Sequence, residues 1–357
     1  MRSGLSLDAG KLERFEAKLV GALNGASLAL MTSIGHRAGL FDVMSRLRPA
    51  SSAEIARQAG LHPRYVREWL GAMVTGGVIE YDPVDDRYAL PAEHAQLLTR
   101  AARPGNLAAT CQWIPVLGSV EDRILECFER GGGVPRSAYE RFRAVMSEES
   151  DQAVVSGLVE EVLPLVPGLG DDLALGIDAL DVGCGSGHAL LRLAAEYPRS
   201  RFTGYDISGE WVEAARAEAR EQGLRNVRFA RRDAAEPARP SEFDLVTALH
   251  AINDQARPDL VLREISRALR PDGVFLMQDI AGTSRLHEDV ALPLAPFLYT
   301  VSCLHCMTVS LSAGGLGLGA MWGAECAQQM LRDAGFARIE LHQLPDDPID
   351  LFYVARK

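Results

Sequence analysis

The chain has 357 residues, of which 47% are apolar and 24% charged, and its formal net charge is −11. This length allows two domains with separate cores, and the composition is that of a soluble globular protein. An acidic chain is poorly suited to nucleic acid or to an anionic membrane surface, so we expect neither as a partner. The first residues lack the basic and then apolar pattern of a secretion signal, which predicts a cytoplasmic protein.

Residues 1–105 have the sequence pattern of a winged-helix domain. Apolar residues at helical spacing predict a long helix from Lys11 to Leu40. A serine cap, a stop at Gly60 and a start at Pro63 predict two short helices joined by a turn. Two short strands follow, which gives the order helix, turn, helix and hairpin: Ser52–Ala59, Pro63–Val74, Val78–Tyr81 and Arg87–Leu90.

Residues 106–172 are predicted to form a helical connection. An amphipathic stretch from Glu121 to Arg130 ends at three consecutive glycines, Gly131 to Gly133. Glycine adopts backbone conformations that other residues avoid. The triple glycine is therefore either a flexible hinge or a tight turn, and the sequence supports both interpretations.

A glycine-rich loop, Gly183 to Gly187, lies between a predicted strand and a predicted helix. The apolar run Ile177 to Val182 has the length of a buried parallel strand, and helical spacing of apolar residues resumes after His188. Three glycines in five residues allow a ligand to lie against the backbone and the helix N-terminus. A dinucleotide-binding fingerprint would have glycine at the position of His188.

Acidic residues follow the next two predicted strands. The strand Arg201 to Tyr205 leads into Asp206, and an acid at that position can accept hydrogen bonds from both hydroxyls of a ribose. Asp233 lies just beyond the strand Val227 to Ala230, where a carboxylate can accept from an adenine amino group. A glycine loop alone is a weak signal, so the ordered acids are what favour a nucleotide-like cofactor.

The predicted sheet continues beyond residue 240. Phe243 to Leu249 is a fourth strand, and an Arg270–Gly273 turn leads into a fifth, Val274 to Gln278. The stretch from Val290 to Ala324 has no charged residue, but its prolines and glycines favour a buried helix and a glycine-rich loop over a membrane span. The last predicted elements are a helix, Ala324–Ala334, and two strands, Ile339–Leu344 and Leu351–Ala355.

The six cysteines are scattered along the chain, unlike the dense framework of a secreted disulfide protein. Cys303 and Cys306 form a single C-x-x-C pair around His305. A structural zinc site has four protein ligands, so we expect no metal site here.

The glycine loop and the strand-end acids resemble the class I S-adenosylmethionine-dependent methyltransferases, with Asp181 to Gly187 as the first motif. The resemblance covers residues 173–357 and implies an α/β fold with a seven-stranded Rossmann-like sheet and an antiparallel last strand. It also implies S-adenosyl-L-methionine as the cofactor. The implied contacts are Gly183, Gly185 and Gly187 at the methionine end, Asp206 at the ribose, Asp233 and Ala234 at the adenine, Ala248 beside the amino-acid portion, and Ile207 as a further cofactor-binding residue.

The combination of a winged helix with this sheet is similar to one bacterial family, the winged-helix methyltransferases of the mycobacterial Rv2258c type. The segments His250–Gln255 and Phe297–Met307 contribute to the similarity. The resemblance implies a homodimeric cytosolic enzyme that acts on a small molecule, with residues 1–105 dimerising and walling the substrate site.

The alternative for the winged helix is DNA binding through its second helix. That helix carries Arg64 and Arg67 beside Glu68, and residues 1–105 contain 13 Arg and Lys against 11 Asp and Glu. Because a protein that reads a DNA groove normally presents a basic face, we favour dimerisation. A DNA-binding regulator that senses S-adenosylmethionine remains the rival hypothesis.

Methyl transfer requires the acceptor atom to lie in line behind the sulfonium methyl group, so positioning in a dry pocket supplies much of the catalysis. A general base is needed only when the acceptor must lose a proton. We predict His250, after the fourth strand, and His305, in the uncharged helix, as candidate bases. The alternatives are a cofactor contact or loop cap for His250 and a core position for His305.

Further residues are predicted to contact the acceptor. Asn253 and Asp254 follow the fourth strand, with capping of the next helix as the alternative, and Asp279 lies at the tip of the fifth strand. Three more candidates would line an apolar pocket if the uncharged stretch is a lid, and belong to the core otherwise: Tyr299, Met307 and Trp322.

The sequence therefore predicts methyl transfer from S-adenosylmethionine to an oxygen or nitrogen atom, or to a carbon atom, of a small hydrophobic or aromatic molecule. Besides the regulator, the alternatives are another kind of nucleotide-binding domain and a scaffold that has lost catalysis. The complete loop and both acids argue against the last of these.

Overall fold

The computed structural model of the protein describes residues 7–102, 105–345, 347 and 349–357. They form two compact units that divide between Val116 and Leu117. The predicted connection of residues 106–172 is thus shared between the units, and its limits stay a prediction.

Unit 1 contains the winged helix. Ser51 caps the third helix through a hydrogen bond from the Glu54 N–H group, and Gly60 ends that helix in the left-handed conformation. In the wing, Tyr81 pairs with Tyr88 across an antiparallel hairpin. The elements are α1 (Ala9–Arg37), α2 (Leu40–Met44), α3 (Ser52–Ala59), α4 (Pro63–Thr75), β1 (Glu80–Asp82), β2 (Arg87–Ala89), α5 (Ala92–Leu98), α6 (Leu107–Thr110) and α7 (Trp113–Gly118), which crosses the division.

The core of unit 1 forms around α4. Trp69 is buried, and its indole N–H group donates to the carbonyl oxygen of Met31 in α1 at 2.9 Å. A Cβ atom at Gly35 would lie 2.5 Å from the Trp69 ring, so this close approach of the two helices requires glycine. Leu70 and Met73 are also buried, and one face of α4 is therefore committed to packing.

One face of α1 is apolar and exposed. The predicted stripe of apolar residues is present, but its members do not join the core. Each side chain is between 42% and 69% exposed: Leu12, Phe15, Leu19, Val20, Leu23, Leu30 and Ile34. Contiguous exposed apolar surface is typical of an interaction site.

Within the described ranges, α1 is the one helix long and apolar enough, by length and composition alone, to cross a membrane. Its last turns contain the buried polar residues Thr32, Ser33 and His36. Buried polar groups of this kind fit packing against protein better than exposure to lipid.

Unit 2 is built on a seven-stranded sheet with the strand order β5-β4-β3-β6-β7-β9-β8. Strands β3 to β7 pair in parallel, and β9 runs antiparallel to β7 and β8. The predicted α/β fold and its antiparallel last strand are confirmed. The strands are β3 (Asp178–Val182), β4 (Arg201–Asp206), β5 (Val227–Arg231), β6 (Phe243–Leu249), β7 (Leu269–Ile280), β8 (Arg338–His342) and β9 (Asp350–Arg356).

Helices cover both faces of the sheet. Successive residues of a strand point to opposite faces, so Ala179 of β3 packs in one apolar cluster and Leu180 in the other. The helices are α8 (Glu121–Arg130), α9 (Phe142–Ser150), α10 (Leu169–Leu175), α11 (His188–Glu196), α12 (Gly209–Glu221), α13 (Pro258–Ala268), α14 (Leu286–Asp289), α15 (Ala295–Val301), α16 (Met307–Ser312) and α17 (Gly323–Asp333). The first cluster contains α10 to α12 and the second α13 and α17.

The predicted turn at Arg270–Gly273 lies inside strand β7, so the prediction that the strand starts at Val274 was wrong. Pairing with β6 begins at Phe243 with Leu269 and resumes at Leu245 with Val274. The residues between form an irregularity in the ladder. Leu269 lies opposite Phe243 before this irregularity, and its burial keeps the start of the strand in the sheet.

Three helical segments of unit 2 are irregular. Residues 151–155, 158–162 and 302–306 form π-helical turns, which occur frequently at functional sites. The triple glycine is an irregular segment rather than a tight turn: Gly131 and Gly132 have positive φ values, and a Cβ atom at Gly133 would lie 2.0 Å from the carbonyl oxygen of Thr308. The segment therefore packs closely against α16.

Candidate active site

The glycine loop joins β3 to α11 at the carboxyl edge of the sheet. Its three glycines have φ values of 73°, 52° and 78° at Gly183, Gly185 and Gly187. Residues with side chains rarely adopt this conformation. The N–H groups of Gly183 and Cys184 donate to the carbonyl oxygen of Tyr205 at 2.8 and 3.0 Å, which fixes the loop to the end of β4.

The three glycines differ in the space available at the position that a Cβ atom would occupy. A Cβ atom at Gly187 would lie 2.6 Å from the Phe229 ring, and one at Gly183 would lie 2.6 Å from the Ala251 side chain. No described atom lies within 4 Å of the corresponding position at Gly185. The backbone at Gly185 thus faces open space where a ligand can approach closely.

Asp206, at the end of β4, is buried and bonded to the loop. Its Oδ2 atom accepts from the Gly185 N–H group at 3.0 Å, and its Oδ1 atom accepts from the Ser208 N–H group at 2.8 Å. Each oxygen can accept a second hydrogen bond. Ile207 is 62% exposed and adds an apolar surface next to this carboxylate.

Asp181 joins β3 to β6 behind the loop. The two strands pair in register at Asp181 and Thr247, and the Thr247 hydroxyl donates to Asp181 Oδ1 at 2.7 Å. Burial raises the pKa of Asp181 to about 7; the Thr247 hydrogen bond lowers it, and the charge of Asp206 raises it further. Ala248, the next residue of β6, is fully buried.

Asp233 and Ala234 follow β5 beside these residues. Asp233 is exposed, and its Oδ1 atom accepts from the Ala235 N–H group at 2.9 Å. Ala234 is half-buried against the second apolar cluster. The Arg232 N–H group donates to the Asp206 carbonyl oxygen at 2.9 Å, so the predicted cofactor residues lie along one edge of the sheet.

His250 directly follows β6 and has a left-handed backbone with φ of 53°, which is uncommon for a residue with a side chain. Its Nε2 atom lies 3.0 Å from Asp350 Oδ2, at the start of β9. Burial lowers the pKa of His250, but the nearby carboxylates of Asp350, Asp279 and Glu149 raise it to about 9. The ring is therefore protonated at neutral pH.

Asn253 and Asp279 form a buried pair at the ends of β6 and β7. The Asn253 amide donates to Asp279 Oδ1 at 2.8 Å, and the Ile280 N–H group donates to the same oxygen at 2.8 Å. Burial raises the pKa of Asp279 to about 6, while the charge of His250 and these hydrogen bonds lower it. Asp279 is thus a buried carboxylate that is ionised at neutral pH.

Asp254 is bonded to Arg136, a residue from the short 3₁₀ turn of residues 136–138. Burial raises the pKa of Asp254, and the Arg136 charge lowers it. The guanidinium carbon also lies 5.5 Å from the centroid of the Phe142 ring. The ion pair therefore connects the β6 loop to the segment that precedes α9.

His305 lies in the π-helical turn between α15 and α16 and is buried. Its ring stacks on Phe142 at 4.3 Å between centroids and meets the Tyr139 ring edge-on at 5.1 Å. Burial lowers the pKa of His305 to about 3, and the Arg136 charge adds to this effect. The ring is therefore neutral.

The three apolar candidates have different surroundings. The Tyr299 hydroxyl donates to Asp289 Oδ2 at 2.8 Å, so it is occupied within the stretch 281–324. Trp322 is buried in the second apolar cluster. Met307 is half-buried, and a Cβ atom at Gly319 would lie 3.3 Å from its side chain.

Family models match both units of the chain. Residues 26–100 match the Rv2258c-like winged HTH domain, and residues 175–305 match a methyltransferase domain. The chain therefore combines an Rv2258c-like winged HTH domain with a methyltransferase domain. The cofactor of the methyltransferase domain is S-adenosyl-L-methionine, and the predictions of family, fold and cofactor are confirmed.

Individual methyltransferases are similar over different lengths. Nocamycin O-methyltransferase of Saccharothrix syringae is 35% identical in an alignment of length 182 that covers 47% of this chain and 62% of that protein. Mitomycin 7-O-methyltransferase MmcR has a TM-score of 0.67 at 20% identity, with 98% of this chain and 100% of that chain covered. Human N-acetylserotonin methyltransferase, solved with S-adenosylmethionine, has a TM-score of 0.69 at 18% identity, with 99% of both chains covered. The two structures share the fold, and the nocamycin alignment spans less than two thirds of its relative.

The residues of this methyltransferase fit S-adenosylmethionine. The open backbone at Gly185 leaves space for the ligand, and the free lone pairs of Asp206 can accept from ribose hydroxyls. Ile207 offers an exposed apolar side chain to a base ring. Carboxylates at this edge also suit the positive charge of a sulfonium group.

Sequence reasoning missed Arg136, Thr247 and Asp350. Arg136 and Asp350 meet partners that are 118 and 100 residues away, so no local pattern marks them. Thr247 had a usable signal, because parallel pairing of the two predicted strands brings it opposite Asp181. Across the described ranges, no group of three or more His, Cys, Asp or Glu residues could hold a metal ion.

Proposed function

We propose that this methyltransferase transfers the methyl group of S-adenosylmethionine to an oxygen, nitrogen or carbon atom of a small hydrophobic or aromatic molecule. One observation carries the proposal. The open backbone at Gly185, bonded to Asp206, lies on the same edge of the sheet as the buried Asn253–Asp279 pair. A donor held by the first two residues and an acceptor held by the second two would meet at this edge.

The reaction is an in-line displacement. The acceptor atom forms a bond to the methyl carbon while the carbon–sulfur bond breaks, and the electron pair of that bond stays on sulfur. The bound cofactor supplies the electrophilic methyl group. The chain contributes orientation: Asp206 and the Gly185 backbone hold the donor, while Asn253 and Asp279 orient the acceptor by hydrogen bonds.

His250 and His305 remain the proposed bases for an acceptor that must lose a proton. With a pKa of about 9, His250 must first release its own proton, which favours alkaline pH. With a pKa of about 3, His305 is unprotonated at neutral pH but is a weak base. Asp279, with a pKa of about 6, is already ionised at neutral pH and is a stronger base than His305.

Apolar side chains support a hydrophobic or aromatic acceptor. Tyr139, Phe142 and His305 form a ring cluster next to the Arg136–Asp254 pair. We propose that Tyr299, Met307 and Trp322 contribute to the pocket wall, with the stretch 281–324 as a lid. The names of the nocamycin and mitomycin enzymes specify O-methylation, which supports oxygen as the first atom to test.

We also propose a cytoplasmic homodimer that forms through unit 1, with the exposed apolar face of α1 as its contact. DNA binding is disfavoured because Arg64 of α4 is paired with Glu68 and the opposite face of α4 is buried. A gel-shift experiment with genomic fragments checks this. Salt-sensitive binding would support the regulator hypothesis instead.

The test of function is calorimetric titration with S-adenosylhomocysteine, with NAD as the control ligand. We expect micromolar binding of the former and none of the latter, followed by transfer of labelled methyl groups to a panel of phenols, alcohols and amines. Failure to bind S-adenosylhomocysteine would contradict the proposal. Binding without transfer to any acceptor, together with specific DNA binding, would favour the regulator.

A further inference from the structure

The cofactor residues described above leave one charge of S-adenosylmethionine without a partner. Its amino-acid end carries both an α-ammonium and an α-carboxylate group. Asp181, Asp206 and Asp233 are acidic, and the glycine loop and Ala248 are uncharged. A carboxylate removed from water needs a cation or several donors, so a further residue must serve the methionine end.

The strand order limits where that residue can lie. Asp233 follows β5 at the adenine end, whereas the glycine loop and Ala248 lie at the neighbouring strands β3 and β6. Arg231, the last residue of β5, and Arg232, which follows it, donate to the carbonyl oxygens of Ile207 and Pro237. Those two arginines are therefore at the adenine end, and the methionine end must use a cation near the β6 loop.

Arg136 is a cation at that end. It donates to Asp254 in the β6 loop, and the charges of Asp254 and Asp206 both raise its pKa. Arg136 is therefore close to Asp206, which is bonded to the glycine loop, as well as to Asp254. The side chain is 35% exposed, so a ligand can reach it. A guanidinium has five donors, and the described residues show a bond to one of its nitrogens.

His250 is a second cation near this loop, but it is paired with another residue. Its Nε2 atom lies 3.0 Å from Asp350, whose Oδ2 atom also accepts from the Gln278 amide at 2.6 Å. This network joins the ends of β6, β7 and β9 on the side of β6 away from β3. Its charge is therefore balanced within the sheet.

Contacts of the surrounding segment hold Arg136 in place. The Val134 N–H group donates to the Thr308 hydroxyl at 2.8 Å, and the Tyr139 hydroxyl donates to the Leu304 carbonyl oxygen at 2.5 Å. With the Phe142 ring beside the guanidinium, these bonds fix the segment on both sides of residue 136. The guanidinium is therefore preorganised rather than carried on a free loop.

We propose that the Arg136–Asp254 pair binds the amino-acid end of the donor, with the guanidinium on the α-carboxylate and the Asp254 carboxylate on the α-ammonium group. The residue pair and the amino-acid end of the ligand each carry one positive and one negative charge. Each charge of the ligand can therefore meet the opposite charge of the pair. A planar guanidinium can bind a carboxylate through two parallel hydrogen bonds. This assignment rests on S-adenosylmethionine as the cofactor and does not depend on the identity of the acceptor.

The test compares two ligands that differ in the amino-acid portion. S-adenosylhomocysteine has it, and 5′-methylthioadenosine lacks it. We expect Arg136→Ala to weaken binding of the former by about 10- to 100-fold, the usual effect of losing a charge-assisted hydrogen bond, and to leave the latter unchanged. Arg136→Lys keeps the charge and should give an intermediate affinity. Arg192→Ala, which removes an exposed arginine paired with Glu160, is the matched control and should bind both ligands normally.

A measurement on the unaltered chain guards against misfolded variants. Decarboxylated S-adenosylhomocysteine should bind about 10- to 100-fold more weakly than the parent compound. Equal affinity for the two compounds would overturn the assignment. So would an Arg136→Ala chain that melts normally and loses affinity for both ligands equally, or for neither. Failure of the unaltered chain to bind either adenosine ligand would instead contradict the cofactor site itself.

Discussion

The carboxyl edge of the sheet has two halves that are built differently. The donor half consists of residues 181–187, 206–207 and 233–234, and the acceptor half consists of residues 250–253, 279 and 350 with the segments 139–142 and 302–312. The donor half is shaped by backbone conformation and by bonds between adjacent strands, such as Gly185 to Asp206. The acceptor half depends on side-chain contacts between distant segments, such as Tyr139 to Leu304, 165 residues apart.

This difference explains what each half tolerates. The donor half tolerates few substitutions, because left-handed backbone and close contacts between strands admit little besides glycine. Side-chain contacts between separate segments can change one residue at a time. The donor half is therefore a rigid binding site for one ligand. The acceptor half is the part of the site whose residues can change to suit different small molecules.

The largest expected effect comes from Gly187→Val in the donor half. The valine Cβ would meet the Phe229 ring and Ala215 at 2.6 and 2.9 Å, in a left-handed backbone. We expect a loss of about 3–5 kcal/mol in the free energy of unfolding, together with loss of S-adenosylhomocysteine binding. Urea unfolding and calorimetry measure the two quantities.

Gly185→Ala is the matched variant, because its Cβ atom enters open space. Its backbone strain should cost only about 1 kcal/mol, while binding weakens because the new methyl group occupies the donor's space. Equal destabilisation by the two variants would contradict the distinction between a packed and an open glycine.

A smaller effect is expected from Asp350→Asn in the acceptor half, which removes the counter-charge of His250. Because the folded-state pKa of His250 is raised to about 9, its contribution to stability is complete below the unfolded pKa of about 6.5 and is lost as pH rises through the folded value. The unaltered chain should therefore lose about 2–3 kcal/mol of unfolding free energy between about pH 7 and 9 from this group.

Urea unfolding at both pH values checks this prediction. In Asp350→Asn this loss of unfolding free energy at high pH should be absent, since burial then favours the neutral ring of His250. Asp272→Asn, at an exposed position, is the control and should keep the loss. The same pH dependence in all three proteins would show that His250 is not held protonated by Asp350.

Smaller effects are expected from changes to the two strand-end acids, and Asp206→Ala is the first of these. The change removes the acceptor for the Gly185 N–H group as well as the proposed ribose contacts. We expect binding of S-adenosylhomocysteine to weaken about tenfold or more. Asp233→Ala should have a weaker effect because that side chain is exposed. Unchanged affinity in Asp206→Ala would mean that the assignment of β4 to the ribose is wrong.

The sequence predicted the donor half well because its signals are local. The order of strands and the positions of Gly183, Gly185, Gly187 and Asp206 follow from periodicity and from a turn that needs glycine. Family resemblance then supplied the cofactor. The roles of the individual residues still await the binding measurements described above.

The acceptor half was only partly accessible from the sequence. His250 and Asp279 were predicted at strand ends, but their protonation depends on burial and on Asp350, which the chain supplies 100 residues after His250. The ring cluster around His305 forms between segments whose folding has no local signature. The exposure of the α1 stripe was likewise invisible, because helical spacing shows that a face is apolar but not what covers it.

The place of β9 in the sheet has a consequence for biosynthesis. This strand follows all the others in the chain yet inserts between β7 and β8, and its first residue is the partner of His250. Since a ribosome delivers the chain from its N-terminus, the glycine loop and β3 to β6 emerge long before the counter-charge of His250 exists. A nascent chain can therefore assemble its donor half early, while the acceptor half is completed only by residues translated after every other strand.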